Sequence, residues 1–191
     1  MAKNIINWWN IKLGQLEGEA VVEAIDNRCV AQGKITARFE KELAEKIGVP
    51  YTVCTTSGTS ALMMAYLATG VGPGTEVIIP NHTAPGTAHA AMILGAKAVP
   101  IDTKPNSVVI DEDQIEAAIT DKTKLIVPVH MNGASCMMKR IMEVAQRHEL
   151  IVVEDAAQAL LSSNNGKKLG TNGRFGCFSL GLAKMVATGQ G

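Results

Sequence analysis

Two runs, Lys124-Leu125-Ile126-Val127-Pro128-Val129 and Leu150-Ile151-Val152-Val153-Glu154, flank a helical stretch at 137–148 and decide the fold. Each run is almost continuously apolar and rich in β-branched residues, as in a strand covered on both faces. The segment between them is long enough for one crossover helix, which joins its strands in parallel. The same alternation continues outward. Strands are expected at Tyr51–Cys54, Glu76–Ile79, 97–101 and Cys177–Leu180, and helices at 58–69, 85–94 and Asp113–Ile119, with Pro80 ending the second strand. Ahead of these, residues 17–31 repeat apolar side chains near helical spacing. Residues 36–47 place Phe39, Leu43 and Ile47 four apart, with Thr36 as N-cap. The expectation is an α/β fold. A helical segment over 1–50 precedes a mostly parallel sheet with helices on both faces over 51–191.

Bulk composition excludes several classes. The 191 residues carry 18 basic and 18 acidic side chains, so no net positive field draws the chain to nucleic acid or an anionic membrane. No apolar run reaches the roughly 18 residues a membrane span needs, and Met1 to Trp9 lack the apolar core of a signal peptide. Cys29, Cys54, Cys136 and Cys177 are widely spaced, without a C-x-x-C pair or a nearby histidine. They read as free thiols in a reducing cytoplasm rather than as zinc ligands or a disulfide framework. A cytoplasmic protein with no metal site is expected.

In a parallel sheet the ligand sits beyond the carboxyl ends of the strands, so the residues just after each strand matter most. Thr55-Thr56-Ser57-Gly58-Thr59-Ser60 joins a strand to a helix. Free N–H groups and the helix dipole there suit an anion, although an ordinary capping turn would look the same. Asp155 follows its strand and could hold a protonated ring nitrogen, or merely cap the next turn. Lys184 lies beyond Cys177–Leu180 among uncharged residues, where a lysine could lose its charge and form a Schiff base; most lysines are simply solvated. Together, in that chain order, a phosphate cradle, a carboxylate and a lysine fit pyridoxal phosphate (PLP). His82 and His130 follow strands and could line the crevice. His89 reads as packed in an apolar helix, His148 as a solvated face, and Met63, Met64, Met137 and Met138 as core.

Several motifs also resemble those of the DegT/DnrJ/EryC1/StrS aminotransferases. They are Thr56-Ser57-Gly58-Thr59-Ser60-Ala61-Leu62, Gly72-Pro73-Gly74-Thr75-Glu76-Val77-Ile78-Ile79-Pro80, Pro128-Val129-His130, Glu154-Asp155-Ala156-Ala157-Gln158, Phe178-Ser179 with Lys184 five residues on, and Thr188-Gly189-Gln190-Gly191. They span roughly residues 10 to 191 in the family's order. The resemblance implies the fold type I, aspartate-aminotransferase-like architecture, PLP as cofactor and a homodimer with sites at its interface. It also implies amino transfer, usually from glutamate, to a keto group on a nucleotide-linked sugar, as in the making of amino sugars for cell-surface polysaccharides. By the same resemblance Lys184 holds the cofactor and shuttles the proton, Asp155 pairs with the pyridine nitrogen, and Gln158 contacts the ring hydroxyl. Gly58, Thr59, Ser60 and Ser179 hold the phosphate, and His130 lies near the sugar.

Two features depart from the family pattern. Ala84 stands where the family has an aromatic residue stacked on the ring, which leaves His82 as a substitute. Family members are also about twice as long, so the large domain is expected to be incomplete here and the C-terminal small domain absent. The strand that follows the lysine in this fold lies between the first and sixth strands. Residues 1–191 are therefore expected not to fold alone as an active enzyme: a companion chain supplies the rest, or the sequence is a fragment. Two other readings stay open: a binding or regulatory paralogue, and a sugar dehydratase, although the family's dehydratases carry histidine where Lys184 stands.

Overall fold

The computed structural model describes residues 11–189. The stretch Met1–Trp9 and the end of the Thr188–Gly191 motif lie outside the described residues. Two helices come first, α1 (Gln15–Asp26) and α2 (Lys34–Ile47). Gly33, not Thr36, is the N-cap of α2, and Gly48 closes it in the left-handed conformation (φ 83°) that glycine adopts without strain. None of the side chains of α1 is buried, whereas α2 buries Ala44 and Ile47.

The rest alternates as expected: α3 (Gly58–Ala68), β1 (Glu76–Pro80), α4 (Pro85–Ile93), β2 (Lys97–Ile101), β3 (Thr123–Ile126), α5 (Met138–Arg147) and β4 (Ile151–Asp155). A two-stranded ribbon, β5 (Ser163–Asn164) and β6 (Lys167–Lys168), precedes β7 (Phe175–Cys177). The main sheet has five strands in the order β2-β1-β3-β4-β7, all parallel.

Alternate residues of each strand feed two cores, because a strand's side chains point to opposite faces in turn. Val77, Ile79, Leu125 and Val153 pack with Leu62, Ala65 and Tyr66 of α3 and Ala90 and Ala91 of α4. Ile78, Ile126 and Val152 pack with Met138, Ile141, Val144 and Ala145 of α5. Helices therefore cover both faces. No helix among the described residues is long and apolar enough to cross a membrane, and none of their His, Cys, Asp and Glu side chains cluster as metal ligands.

Three expected elements change. Tyr51–Cys54 is not a strand of the sheet. Tyr51 is 88% exposed, and the segment is tied to α2 instead, by Cys54 N–H to Glu40 Oε1 (2.7 Å) and Thr52 Oγ1–H to the Glu40 carbonyl (2.7 Å). The last strand falls at Phe175–Cys177 rather than Cys177–Leu180. Gly173 and Gly176 let the chain press against the Val152 and Gly170 carbonyls, and an added Cβ would sit 2.5 Å and 2.0 Å from those oxygens. The expected helix at Asp113–Ile119 is only a 3₁₀ turn, Glu116–Ala118, anchored by the buried Ile115. Met138 is buried and Met63 half-buried, but Met64 and Met137 are exposed, as is His89. The four cysteines are all free, and Cys136 and Cys177 are buried. Burial pushes both of those thiols up to about 12.

Candidate active site

Three chain turns converge at the carboxyl ends of β1, β4 and β7. The first is the start of α3. Ser57 caps it, its Oγ accepting from Ser60 N–H (3.1 Å) and lying 3.0 Å from Ser60 Oγ. Gly58 abuts the loop after β7, where an added Cβ would lie 3.0 Å from Ser179 Cβ. The start of α4 closes from the other side: a Cβ on Gly86 would lie 2.6 Å from Thr59 Oγ1. Gly58, Thr59 and Ser60, in the first turn of α3, thus lie beside Ser179 after β7 and Gly86 in the first turn of α4. Ser57 takes the Ser60 N–H and the Ala84 carbonyl takes that of Thr87, so in these turns the Gly58, Thr59 and Gly86 N–H groups are the ones left to favour an anion.

Asp155 ends β4 and is 4% exposed. Its Oδ2 accepts from Thr87 Oγ1 (2.8 Å) and its Oδ1 from Ala157 N–H (3.1 Å). Burial pushes the carboxyl above its ordinary range. The two bonds and the charge of Lys184 pull against that shift. Lys184 lies half-buried in the loop after β7, and its charge favours the ionised form of Asp155.

Gln158 is oriented from behind. Its Oε1 accepts from Asn132 N–H at 2.7 Å, so its side-chain NH₂ is left to donate. Asn132 holds a left-handed conformation (φ 54°) next to Gly133 (φ 78°), which aims that N–H. His82 and Ala84 are both exposed in the loop between β1 and α4, and Ala84 is the N-cap of α4.

His130 departs from expectation. It is fully buried and offers no ring atom to a substrate. Cys136 N–H donates to its Nδ1 (3.2 Å), so Nε2 carries the hydrogen and donates to Glu154 Oε2 (2.9 Å). The side chain points toward the α5 face, beside Glu154, rather than into the crevice. Glu154 in turn accepts from Gly170 N–H (2.9 Å), Gly173 N–H (2.7 Å), Asn172 Nδ2–H (3.1 Å) and Asn172 N–H. Burial alone would raise this carboxyl, but the surrounding donors outweigh burial and hold it below its ordinary range. No motif or spacing pointed to this hub, nor to Thr87. The one available sign for Thr87 was a hydroxyl within the small-residue helix 85–94.

A parallel sheet with helix N-termini, a buried carboxylate and a lysine beyond its strands carries the kinds of group that bind a phosphorylated cofactor. The DegT/DnrJ/EryC1/StrS aminotransferase family model matches residues 12–191, and the chain belongs to that family. It is 40% identical over 176 residues to the GDP-perosamine synthase of Caulobacter vibrioides, covering 92% of this chain and 47% of that protein. It is 39% identical over 179 residues to the spore coat polysaccharide biosynthesis protein SpsC of Bacillus subtilis, covering 94% of this chain and 46% of that one. Among solved structures it superposes on Spr1654 from Streptococcus pneumoniae in its PMP form with TM-score 0.94 and 29% identity, over 97% of this chain and 50% of that one. The chain thus spans about half the length of these relatives.

Proposed function

We propose that residues 51–191 are the cofactor-binding part of a PLP-dependent aminotransferase. It moves an amino group, with glutamate as donor, to a keto group on a nucleotide-linked sugar and works as a homodimer. What supports this reading is the start of α3 lying against Ser179 and Gly86, together with the buried Asp155 carboxylate at the end of β4, whose ionised form the charge of Lys184 favours. The donor set suits PLP: helix-terminal N–H groups and hydroxyls for a phosphate, an acceptor for a ring N–H, an amide donor for a ring oxygen, and one amine. The names of the relatives, which include a perosamine synthase and a polysaccharide biosynthesis protein, support amino-sugar chemistry. Exposed Met64 and Leu67 on α3, and Met92 and Ile93 on α4, are apolar surface of the kind that subunit contacts bury.

When bound, PLP supplies an electron-withdrawing ring that carries the amino group and stabilises negative charge on the substrate carbon. The residues of this chain do the rest. Gly58, Thr59, Ser60 and Ser179 hold the phosphate and fix the ring's position. Asp155, desolvated and braced by Thr87 and Ala157, keeps a proton on the ring nitrogen. Gln158, its Oε1 taken by Asn132 N–H, would donate its NH₂ to the ring hydroxyl oxygen. Lys184 would hold the cofactor through Nζ, and its amine would take and return the proton at the reacting carbon.

The test is spectroscopic. The complete gene product, incubated with PLP, should gain a near-visible band, and borohydride should convert that band into a label on Lys184. Lys184→Ala should lower the transamination rate by about four orders of magnitude or more, the scale of losing a residue central to catalysis. A label elsewhere, or turnover retained in that variant, would refute the assignment.

A further inference from the structure

The hydrogen bonds behind Asp155 run in one direction. Thr87, the third residue of α4, is 0% exposed and donates to Asp155 Oδ2 at 2.8 Å. Thr83 Oγ1 lies 2.8 Å from Thr87 Oγ1. A hydroxyl has one hydrogen and an ionised carboxylate only accepts, so the hydrogen of Thr87 points at Asp155. The hydrogen between the two threonines must then belong to Thr83. The dipoles therefore line up as Thr83 to Thr87 to Asp155, and each bond strengthens the next. Thr83 is half-buried in the loop after β1, so this line runs from the crevice rim to the buried carboxylate.

Nothing else among the described residues competes for it. The Tyr66 hydroxyl of α3 donates to the Thr87 carbonyl (3.2 Å), which fixes the first turn of α4 without touching its hydroxyl. The titratable groups facing Asp155 are Tyr66 from α3, Cys177 of β7 and Lys184 beyond it; His130, after β3, lies near but is turned to the other layer. His130 is already engaged by Glu154 and Cys136. Among the described residues only Thr87 and the Ala157 amide donate to the carboxylate.

We propose that Thr87, oriented by Thr83, is a positioning residue that holds the Asp155 carboxylate in the pose and charge state that meet the cofactor's ring nitrogen. This rests on the PLP reading above. It assigns to the α4 turn a part in the site besides packing.

The experiment compares the complete gene product with Thr87→Val, Thr87→Ser and Thr83→Val. The PLP dissociation constant is measured from pH 5 to 9, and urea midpoints are measured without cofactor. Valine keeps the shape and removes the hydroxyl; serine keeps the hydroxyl. Losing a bond to a charged group should weaken PLP at least about 10-fold in Thr87→Val. The acid limb of binding should also move to higher pH, because Asp155 then protonates more easily. Thr87→Ser should stay within about 3-fold of wild type, and Thr83→Val should move the acid limb the same way by less. A Thr87→Val protein that binds and titrates like wild type overturns the proposal. So does a Thr87→Ser protein as impaired as the valine variant, since the role would then be packing. Should Thr87→Val not fold, an unmoved acid limb in Thr83→Val overturns it equally. A wild-type protein that takes up no PLP sinks the cofactor reading itself, an outcome distinct from an indifferent Thr87→Val.

Discussion

Replacing Glu154 by glutamine removes one negative charge and one acceptor from a pocket made only of donors. In the wild type, Oε2 accepts from His130, Gly170 N–H and Asn172 Nδ2–H, and Oε1 from Asn172 N–H and Gly173 N–H. Glutamine has one oxygen, and its NH₂ cannot accept. The least harmful rotamer puts that oxygen where Oε2 was, which leaves Asn172 N–H and Gly173 N–H facing another donor. An unsatisfied buried donor costs about 1–3 kcal/mol. Two give about 2–6 kcal/mol, and the half-burial of both residues places the expected loss in the lower part, about 2–4 kcal/mol. Against a total of about 5–15 kcal/mol that is a large fraction. The assay is urea unfolding of the cofactor-free protein together with amide hydrogen exchange, and protection should collapse first at Gly170, Asn172 and Gly173. The pH dependence has a definite sign. Because the Glu154 carboxyl lies below its ordinary value of 4.5 when folded, its contribution is fully present above that value. It is lost as pH falls through the folded value, and Glu154→Gln should flatten that acid limb. A variant within about 1 kcal/mol of wild type, with Gly173 equally protected, would refute the hub.

Other tests address the crevice. Gly86→Ala places a Cβ 2.6 Å from Thr59 Oγ1, so Thr59 must turn away. PLP affinity should drop about 10-fold with little change in urea midpoint, and an unchanged affinity would remove Thr59 from the phosphate site. Asp155→Asn tests the opposite linkage from Glu154. The folded carboxyl of Asp155 is raised above its ordinary 3.8, so ionising it weighs against folding. Wild-type stability without cofactor should decline as pH rises from the unfolded value through the folded one. The asparagine variant should lack that decline when urea midpoints are measured across the range.

Much of the architecture was legible because fully covered strands are apolar throughout. Val77–Ile79, Leu125–Val127 and Ile151–Val153 announce themselves by composition, and the turns between them by glycine and proline. That same uniformity hides which residue faces which layer. The assignment of Ile78 to the α5 side and Ile79 to the α3–α4 side exists only in the folded sheet. Tyr51–Cys54 has strand composition, but composition cannot supply hydrogen-bonded neighbours, and the segment leans on Glu40 instead. The site divides in the same way. Asp155, Ser179 and Lys184 follow strands and Gly58–Ser60 opens a helix, positions that sequence alone marks as candidates. Thr87 acts from a helix face turned inward, and no spacing rule separates it from an ordinary core threonine. His130 satisfied the position rule and still failed, because a side chain that follows a strand can turn toward either layer.

Glu154 and Asp155 show how one strand end serves both structure and chemistry. They are adjacent, equally acidic in sequence, and both almost wholly buried. Alternation along β4 sends them to opposite faces, Asp155 with Val153 toward α3 and α4, and Glu154 with Val152 toward α5. On its side Glu154 meets only donors, so its charge is stabilised and its lone pairs are occupied. It fastens the Gly170–Gly173 turn that delivers β7, and with it Ser179 and Lys184. On the other side Asp155 has two donors and a more distant lysine, too few to offset its burial, and its carboxyl is raised. A desolvated carboxylate with unfilled lone pairs gains strongly from one further N–H donor, which a protonated ring nitrogen supplies. The rigidity conferred by Glu154 and the unmet demand of Asp155 are thus two halves of one arrangement. Exchanging the two residues would lose both, because each acid depends on the layer its neighbour does not face.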